Sequence, residues 1–196
     1  MNIGIYGGTF NPPHLGHLLL AQSAADQLGL DVVLFVPAYV SPFKNHEDML
    51  PAALRCEMVE LALSDNRKFR GEYWEALREE TSYSVDTVRY LAERYAEDTL
   101  FLLMGEDTFR DFHLWKNPEV IAGLAHLCVA GRPGHSPGDA QHAFADSAQR
   151  FTMPLVEISS TDIRQRVAAG ASIQYLVPWT VQIYIESQGL YRNPRS

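Results

Sequence analysis

Cysteine is scarce in this chain. Only Cys56 and Cys128 occur among 196 residues, and they form no CxxC pair. That pattern excludes a disulfide framework and a cysteine zinc cage, and both thiols read as reduced core residues. Long apolar runs are missing too. No stretch reaches the roughly 18–20 consecutive apolar residues that a membrane helix needs. The first apparent strand, NIGIYG, is preceded by no basic n-region and no apolar h-region, so the chain is read as cytoplasmic and free of membrane. Basic residues are few: 16 Lys and Arg against 24 Asp and Glu leave a formal net charge of −8. A general nucleic-acid surface needs clustered cations and is not expected here. A small anionic ligand is still accessible, since it needs only a few local cations and backbone N–H groups. Internal repeats are absent, as are the Rossmann GxGxxG and the P-loop GxxxxGK[ST].

What is present is a strand–helix alternation. With 46% hydrophobic residues, the chain can build one sizeable core, and the expected organisation is a single domain over 1–196. Five apolar, β-branched or aromatic runs read as buried strands: NIGIYG (2–7), DVVLFVP (31–37), TLFLLMG (99–105), HLCVAG (126–131) and PLVEIS (154–159). Helix-period segments separate or follow them. HLGHLLLAQSAADQLG ends with Gly29 at C′; AALRCEMVELAL and SVDTVRYLAERYA follow. PWTVQIYIESQG has Pro178 near its start and Gly189 at C′. The alternation predicts an α/β, Rossmann-like, doubly wound and mainly parallel five-stranded sheet with helices on both faces. Ligands bind such sheets outside the carboxyl ends of the strands. Loops 38–50 and 132–140 read as surface loops.

The residues with chemistry cluster after strands. GGTFNPPHLGH, residues 7–17, crowds glycines, prolines and histidines behind the first strand. Gly7 and Gly8 permit positive φ and close approach of backbone to a ligand. A helix expected to begin near His14 or Leu15 offers free N–H groups and a positive dipole end to an anion. His14 and His17, three apart, share one face of its first turn and can donate to phosphate oxygens. Zinc is disfavoured, because His-x-x-His lacks the i,i+4 spacing and the glutamate of zincins. Near the other end, ISSTDIR (158–164) offers the hydroxyls of Ser159, Ser160 and Thr161 at a helix start, and Arg164 one turn later. Taken alone, it equally describes ordinary helix capping with a solvated arginine.

GGTFNPPHLGH resembles the first signature, GxFxPxHxGH, of the nucleotidyltransferase α/β-phosphodiesterase superfamily, and ISSTDIR resembles its C-terminal partner about 140 residues later. Between them lie SYSVDT (82–87), GEDTF (105–109), Trp115 and GRPG (131–134). In this order the set resembles the bacterial nicotinate mononucleotide adenylyltransferase family over nearly the whole chain. The resemblance implies a Rossmann-like fold and adenylyl transfer from ATP to nicotinate mononucleotide, giving deamido-NAD and pyrophosphate. It also implies Mg²⁺ held mainly by the ATP phosphates.

The resemblance assigns roles residue by residue. His14, His17, Lys44 and Arg164 meet phosphate, with His17 on the transferred α-phosphate. Gly7, Gly8, Thr9, Phe10, Gly105, Asp107, Ser159, Ser160 and Thr161 form the ATP side, with Asp107 at a ribose hydroxyl or capping the following helix. Tyr83, Ser84, Trp115 and Arg132 form the nicotinate mononucleotide side. Trp115 stacks on the pyridine ring, although its spacing with Phe109 and Phe112 also suits core packing. Two departures stand out. Phe43 replaces a histidine usual beside the lysine of SPFK, leaving His46 nearby, and Asn11 stands where many relatives have Asp, so no metal ligand is assigned there. Rival readings are another adenylyltransferase, with nicotinamide mononucleotide or phosphopantetheine as acceptor, a class I aminoacyl-tRNA synthetase fragment sharing an HIGH-like HLGH, and a non-catalytic nucleotide-binding module. Phosphopantetheine adenylyltransferase lacks the SYT–Trp–RPG set, the synthetase needs a KMSK-like segment that is missing, and the module sits badly with the intact His14, His17, Lys44 and Arg164.

Overall fold

The strand β1 (Asn2–Gly8) sends alternate side chains to opposite faces of a sheet. Ile3 and Ile5 enter one buried cluster and Tyr6 the other. The strand β2 (Val32–Pro37) does the same: Val32, Leu34 and Val36 face one cluster, Val33 and Phe35 the other. Burial on both faces is what makes these runs apolar throughout. The computed structural model describes residues 1–40, 49–131 and 143–192.

Four more strands complete the sheet: β3 (Phe69–Gly71), β4 (Thr99–Gly105), β5 (His126–Gly131) and β6 (Gln149–Thr152). Their order is β3-β2-β1-β4-β5-β6, and every pairing is parallel. The chain runs outward from β1 to β3 and then returns to the other side of β1, so the order reverses between β1 and β4. That reversal opens a crevice at their carboxyl ends.

The doubly wound α/β expectation holds, with six strands rather than five. The run PLVEIS is not a strand: residues 153–159 carry no regular structure, Leu155 is exposed, and Pro154 has no N–H to give a ladder. ISSTDIR therefore follows an extended segment, not a strand. The edge position is taken instead by β6, whose Phe151 is buried, while β3 is too short and polar to stand out in the sequence.

Helices cover both faces. On one lie α1 (Leu15–Gln27) and α2 (Ala52–Leu63). A one-turn helix α3 (Trp74–Leu77) leads to α4 (Ser84–Arg94), which covers the opposite face with α5 (Glu106–Arg110), a 3-10 turn at Phe112–Leu114, and α6 (Pro118–Leu124). The last pair, α7 (Ser160–Ala168) and α8 (Trp179–Ser187), packs on α2 through Met58, Ile163, Val181 and Ile185. This third cluster returns the end of the chain to its beginning, and Leu15 N–H donates to the Leu176 carbonyl across 3.0 Å. Gly29 and Gly189 follow their helices at φ +63° each, as expected of C′ residues. Pro178 is the residue before α8 rather than within it. Among the described residues, no helix is long and apolar enough to cross a membrane.

Candidate active site

The first motif leaves β1 as extended backbone and turns afterwards. Gly7 and Gly8 still pair with Val36 and Pro37, and neither has a positive φ. The left-handed residue is Phe10, at φ +48°, which corrects the expectation that the glycines make the turn. Their smallness serves space instead. A Cβ on Gly8 would lie 3.0–3.2 Å from the Phe10 ring, whereas one on Gly7 would meet nothing within 4 Å, so the Gly7 face is open to a ligand. The Asn11–Pro12 peptide is cis, and α1 begins at Leu15 with His14 as its N-cap.

His14 is buried and His17 half-buried, and their rings stack at 3.6 Å with 21° between planes. The backbone N–H of His14 donates to Nδ1 of His17 across 3.1 Å. Nδ1 therefore presents a lone pair, which places the proton of the neutral ring on Nε2. The ring is further fixed against Phe10 at 5.1 Å and Tyr6 at 6.0 Å. Gly16 leaves room for this stack, because a Cβ there would lie 3.0 Å from the His14 Nδ1.

Residues at the far end of the sequence grip this loop. Ser160 Oγ donates to the Pro12 carbonyl at 2.8 Å, and Arg164 Nη1 donates to the Asn11 carbonyl at 3.1 Å. Ser159 is the N-cap of α7, accepting from Asp162 N–H at 3.0 Å, and Thr161 follows exposed in the first turn. Asn11 Oδ1 accepts from the Tyr191 hydroxyl at 2.8 Å and from Leu50 N–H at 3.3 Å. An amide suits these contacts, since its oxygen accepts without bringing a charge into the loop. They commit that oxygen to the protein. No group of three His, Cys, Asp or Glu among the described residues could hold a metal. These residues do not fit a protein-held Mg²⁺.

One residue central to the loop carried no signal in the sequence. Arg55 of α2 is fully buried, and among the described residues its acceptors are all carbonyl oxygens. Nη1 donates to Thr9 at 2.7 Å, Nη2 to Tyr39 at 2.9 Å and Nε to Leu50 at 2.9 Å. Desolvation pulls its pKa below the ordinary arginine value. The guanidinium stays charged, so a cation lies directly beneath the loop that follows β1. Within AALRCEMVELAL it looks like one more surface arginine of an amphipathic helix.

On the other side of the crevice, Gly105 ends β4 and is the N-cap of α5, so Asp107 does not cap that helix. Asp107 is 88% exposed and pairs loosely with Arg110 at 3.3 Å, while its neighbour Glu106 is tied to Arg150 at 2.7 Å. Tyr83 is the N-cap of α4, and Ser84 is its first helical residue. Tyr83 and Trp115 are both partly buried against the same cluster. Lys116 lies 4.2 Å from the Tyr83 ring centroid, and Trp115 tilts on Phe112 at 5.3 Å. Trp115 thus has both a packed edge and an accessible part. Lys44, Phe43, His46 and Arg132 lie outside the described residues. Cys128 is buried in the core, where burial pushes its thiol up to about 12, and Cys56 is only half-buried.

The loop after β1, with the open Gly7 face and the His14–His17 pair, is thus joined to the start of α7. The cytidylyltransferase-like family matches residues 5–166. Relatives from Exiguobacterium sibiricum (44% identical, 97% of this chain and 99% of the relative) and Thermus thermophilus (41%, 98% and 100%) are both named probable nicotinate-nucleotide adenylyltransferases. A solved structure of Plasmodium falciparum nicotinic acid mononucleotide adenylyltransferase complexed with NaAD shares the fold at TM-score 0.76 and 18% identity, over 97% of each chain. With these relatives matched over nearly its full length, the chain belongs to the nicotinate-nucleotide adenylyltransferase family, within the cytidylyltransferase-like proteins.

Proposed function

We propose that this protein transfers the adenylyl group of ATP to nicotinate mononucleotide, releasing pyrophosphate and forming deamido-NAD, as one nucleotidyltransferase unit over residues 1–196. The acceptor phosphate has its second pKa near 6 and is mostly ionised at neutral pH, so no general base is needed. Its oxygen attacks the α-phosphorus of ATP, and the bond from that phosphorus to the bridging oxygen of the β-phosphate breaks. The barrier is one anion approaching another, so catalysis consists of positioning and charge neutralisation.

The observation that carries the reading is the junction of the two motifs. Ser160 and Arg164 hold the carbonyls of Pro12 and Asn11, which sets the start of α7 beside the His14–His17 pair. His17 donates from Nε2 to the α-phosphate, while His14 backs it, and Arg164 with the N–H groups of α7 neutralises the departing phosphates. Lys44 adds a further cation. Gly7, Gly8, Thr9 and Phe10 pass beneath the nucleotide, and Asp107 after Gly105 reaches a ribose hydroxyl. On the acceptor side, Tyr83 and Ser84 at the start of α4 receive the carboxylate, Trp115 stacks on the pyridine, and Arg132 adds charge. Mg²⁺ enters as MgATP. The setting is cytoplasmic.

Purified protein incubated with ATP, Mg²⁺ and nicotinate mononucleotide is expected to yield pyrophosphate and deamido-NAD. Turnover of phosphopantetheine but of neither pyridine mononucleotide would overturn the acceptor assignment.

A further inference from the structure

Glu75 is a carboxyl group in the interior, 8% exposed, on the single turn of α3. The neighbouring Trp74 stacks on Tyr90 at 4.7 Å with 8° between planes, and Arg78 lies 4.5 Å over Trp74, so the turn that carries Glu75 is held firmly. Its carboxyl accepts from the Thr87 hydroxyl, and Ser82 lies close by. Those two residues flank the start of α4: Ser82 precedes the Tyr83 N-cap, and Thr87 is the fourth helical residue. One buried carboxyl thus anchors Thr87 in the first turn of α4, next to the residue that leads into the cap.

The contact extends further. Ser82 Oγ accepts from Tyr39 N–H at 2.9 Å, and Ser82 N–H donates to the Val40 carbonyl at 2.9 Å. The Tyr39 carbonyl accepts from Arg55, which also holds Thr9 of the phosphate loop. Hydrogen bonds therefore run from Thr9 through Arg55 and Tyr39 to Ser82, next to the bond between Glu75 and Thr87. Thr87 is 2% exposed, so its bond to Glu75 is shielded from water.

We propose that Glu75 is a positioning residue for the acceptor: by holding Thr87 in the first turn of α4 it fixes the backbone N–H groups of Tyr83 and Ser84 in the orientation that receives the nicotinate carboxylate. This rests on the reading that the pyridine nucleotide binds at the start of α4. Glu75 itself touches no substrate. Losing it loosens the turn and weakens acceptor binding, while the ATP side keeps its own anchors in Arg55, Ser160 and Arg164.

The test is calorimetric binding of nicotinate mononucleotide, with steady-state kinetics for both substrates, on the wild type, Glu75→Ala, Glu75→Gln and Thr87→Val. Glu75→Ala is expected to raise Kd and KM for the mononucleotide about tenfold, with KM for ATP changed less than about twofold. Thr87→Val, nearly isosteric, is expected to raise them roughly threefold, and Glu75→Gln, which keeps an acceptor oxygen, to stay within about threefold of the wild type. Unchanged mononucleotide Kd in folded Glu75→Ala, or equal rises for both substrates, would overturn the proposal. Should Glu75→Ala fail to fold, Thr87→Val decides by the same criterion. A wild type that binds no nicotinate mononucleotide overturns the acceptor reading itself. A wild type that binds it, beside variants that bind equally well, overturns only the role of Glu75.

Discussion

The backbone N–H of His14 holds Nδ1 of His17 at 3.1 Å, so one histidine of the motif sets the tautomer of the other. The arrangement aims an Nε2–H donor without relying on protonation. Replacing His17 by Ala removes that donor. kcat is expected to fall about 10²–10³-fold, the usual effect of losing one preorganised donor to a transition-state oxyanion. Because the ring is only half-buried, Tm should move by less than about 4 °C, the shift that roughly 1 kcal/mol produces. Loss of fold with retained specific activity would contradict this role.

Arg55 tests the architecture beneath the loop. Its fork joins Thr9, Tyr39 and Leu50, three segments that share no strand. Arg55→Met leaves those carbonyls without a donor in a dry site and should cost at least about 2 kcal/mol, read as a lower Tm. KM for ATP should rise in the folded protein, since Thr9 is released. An unchanged melting temperature would show that the fork is dispensable.

Trp115 separates stacking from packing. It is partly buried against Phe112 and the cluster below α4. Trp115→Ala should weaken the pyridine nucleotide by about tenfold or more and ATP by much less, because only one substrate carries a ring to stack there. An equal effect on both substrates, measured as Kd, would assign the indole to the core alone.

Much of this was legible in the sequence, and the misses have physical causes. Runs buried on both faces, such as TLFLLMG and HLCVAG, became strands with the bounds their apolar character gives. PLVEIS has similar composition, but Pro154 and the exposed Leu155 keep it out of the sheet. The two motifs were legible through their resemblance to known signatures, and the structure joins them through Ser160 and Arg164. Arg55 and Glu75 did not, because a charge on a helix ordinarily faces water. Only tertiary packing reveals that these two face inward.

Glu75 also predicts a pH dependence. Burial raises its carboxyl pKa, with the Thr87 and Ser82 hydroxyls opposing the shift. Between the unfolded and folded pKa values the native state binds more protons, so the contribution of this group to stability is fully present below the unfolded value and is lost as pH rises through the folded one. Glu75→Gln cannot titrate. The stability of the wild type relative to that variant should therefore fall as pH is raised above the ordinary carboxyl range, about 4. Denaturant unfolding at several pH values measures this, and a difference that grows with pH would contradict it.

Movement of the adenylyl group to the acceptor phosphate can be followed directly. The direct measurement follows ATP labelled on either its α- or its γ-phosphorus during turnover with nicotinate mononucleotide. The α label is expected in deamido-NAD and the γ label in pyrophosphate. A γ label released as inorganic phosphate without dinucleotide, or an α label left in AMP, would contradict the account.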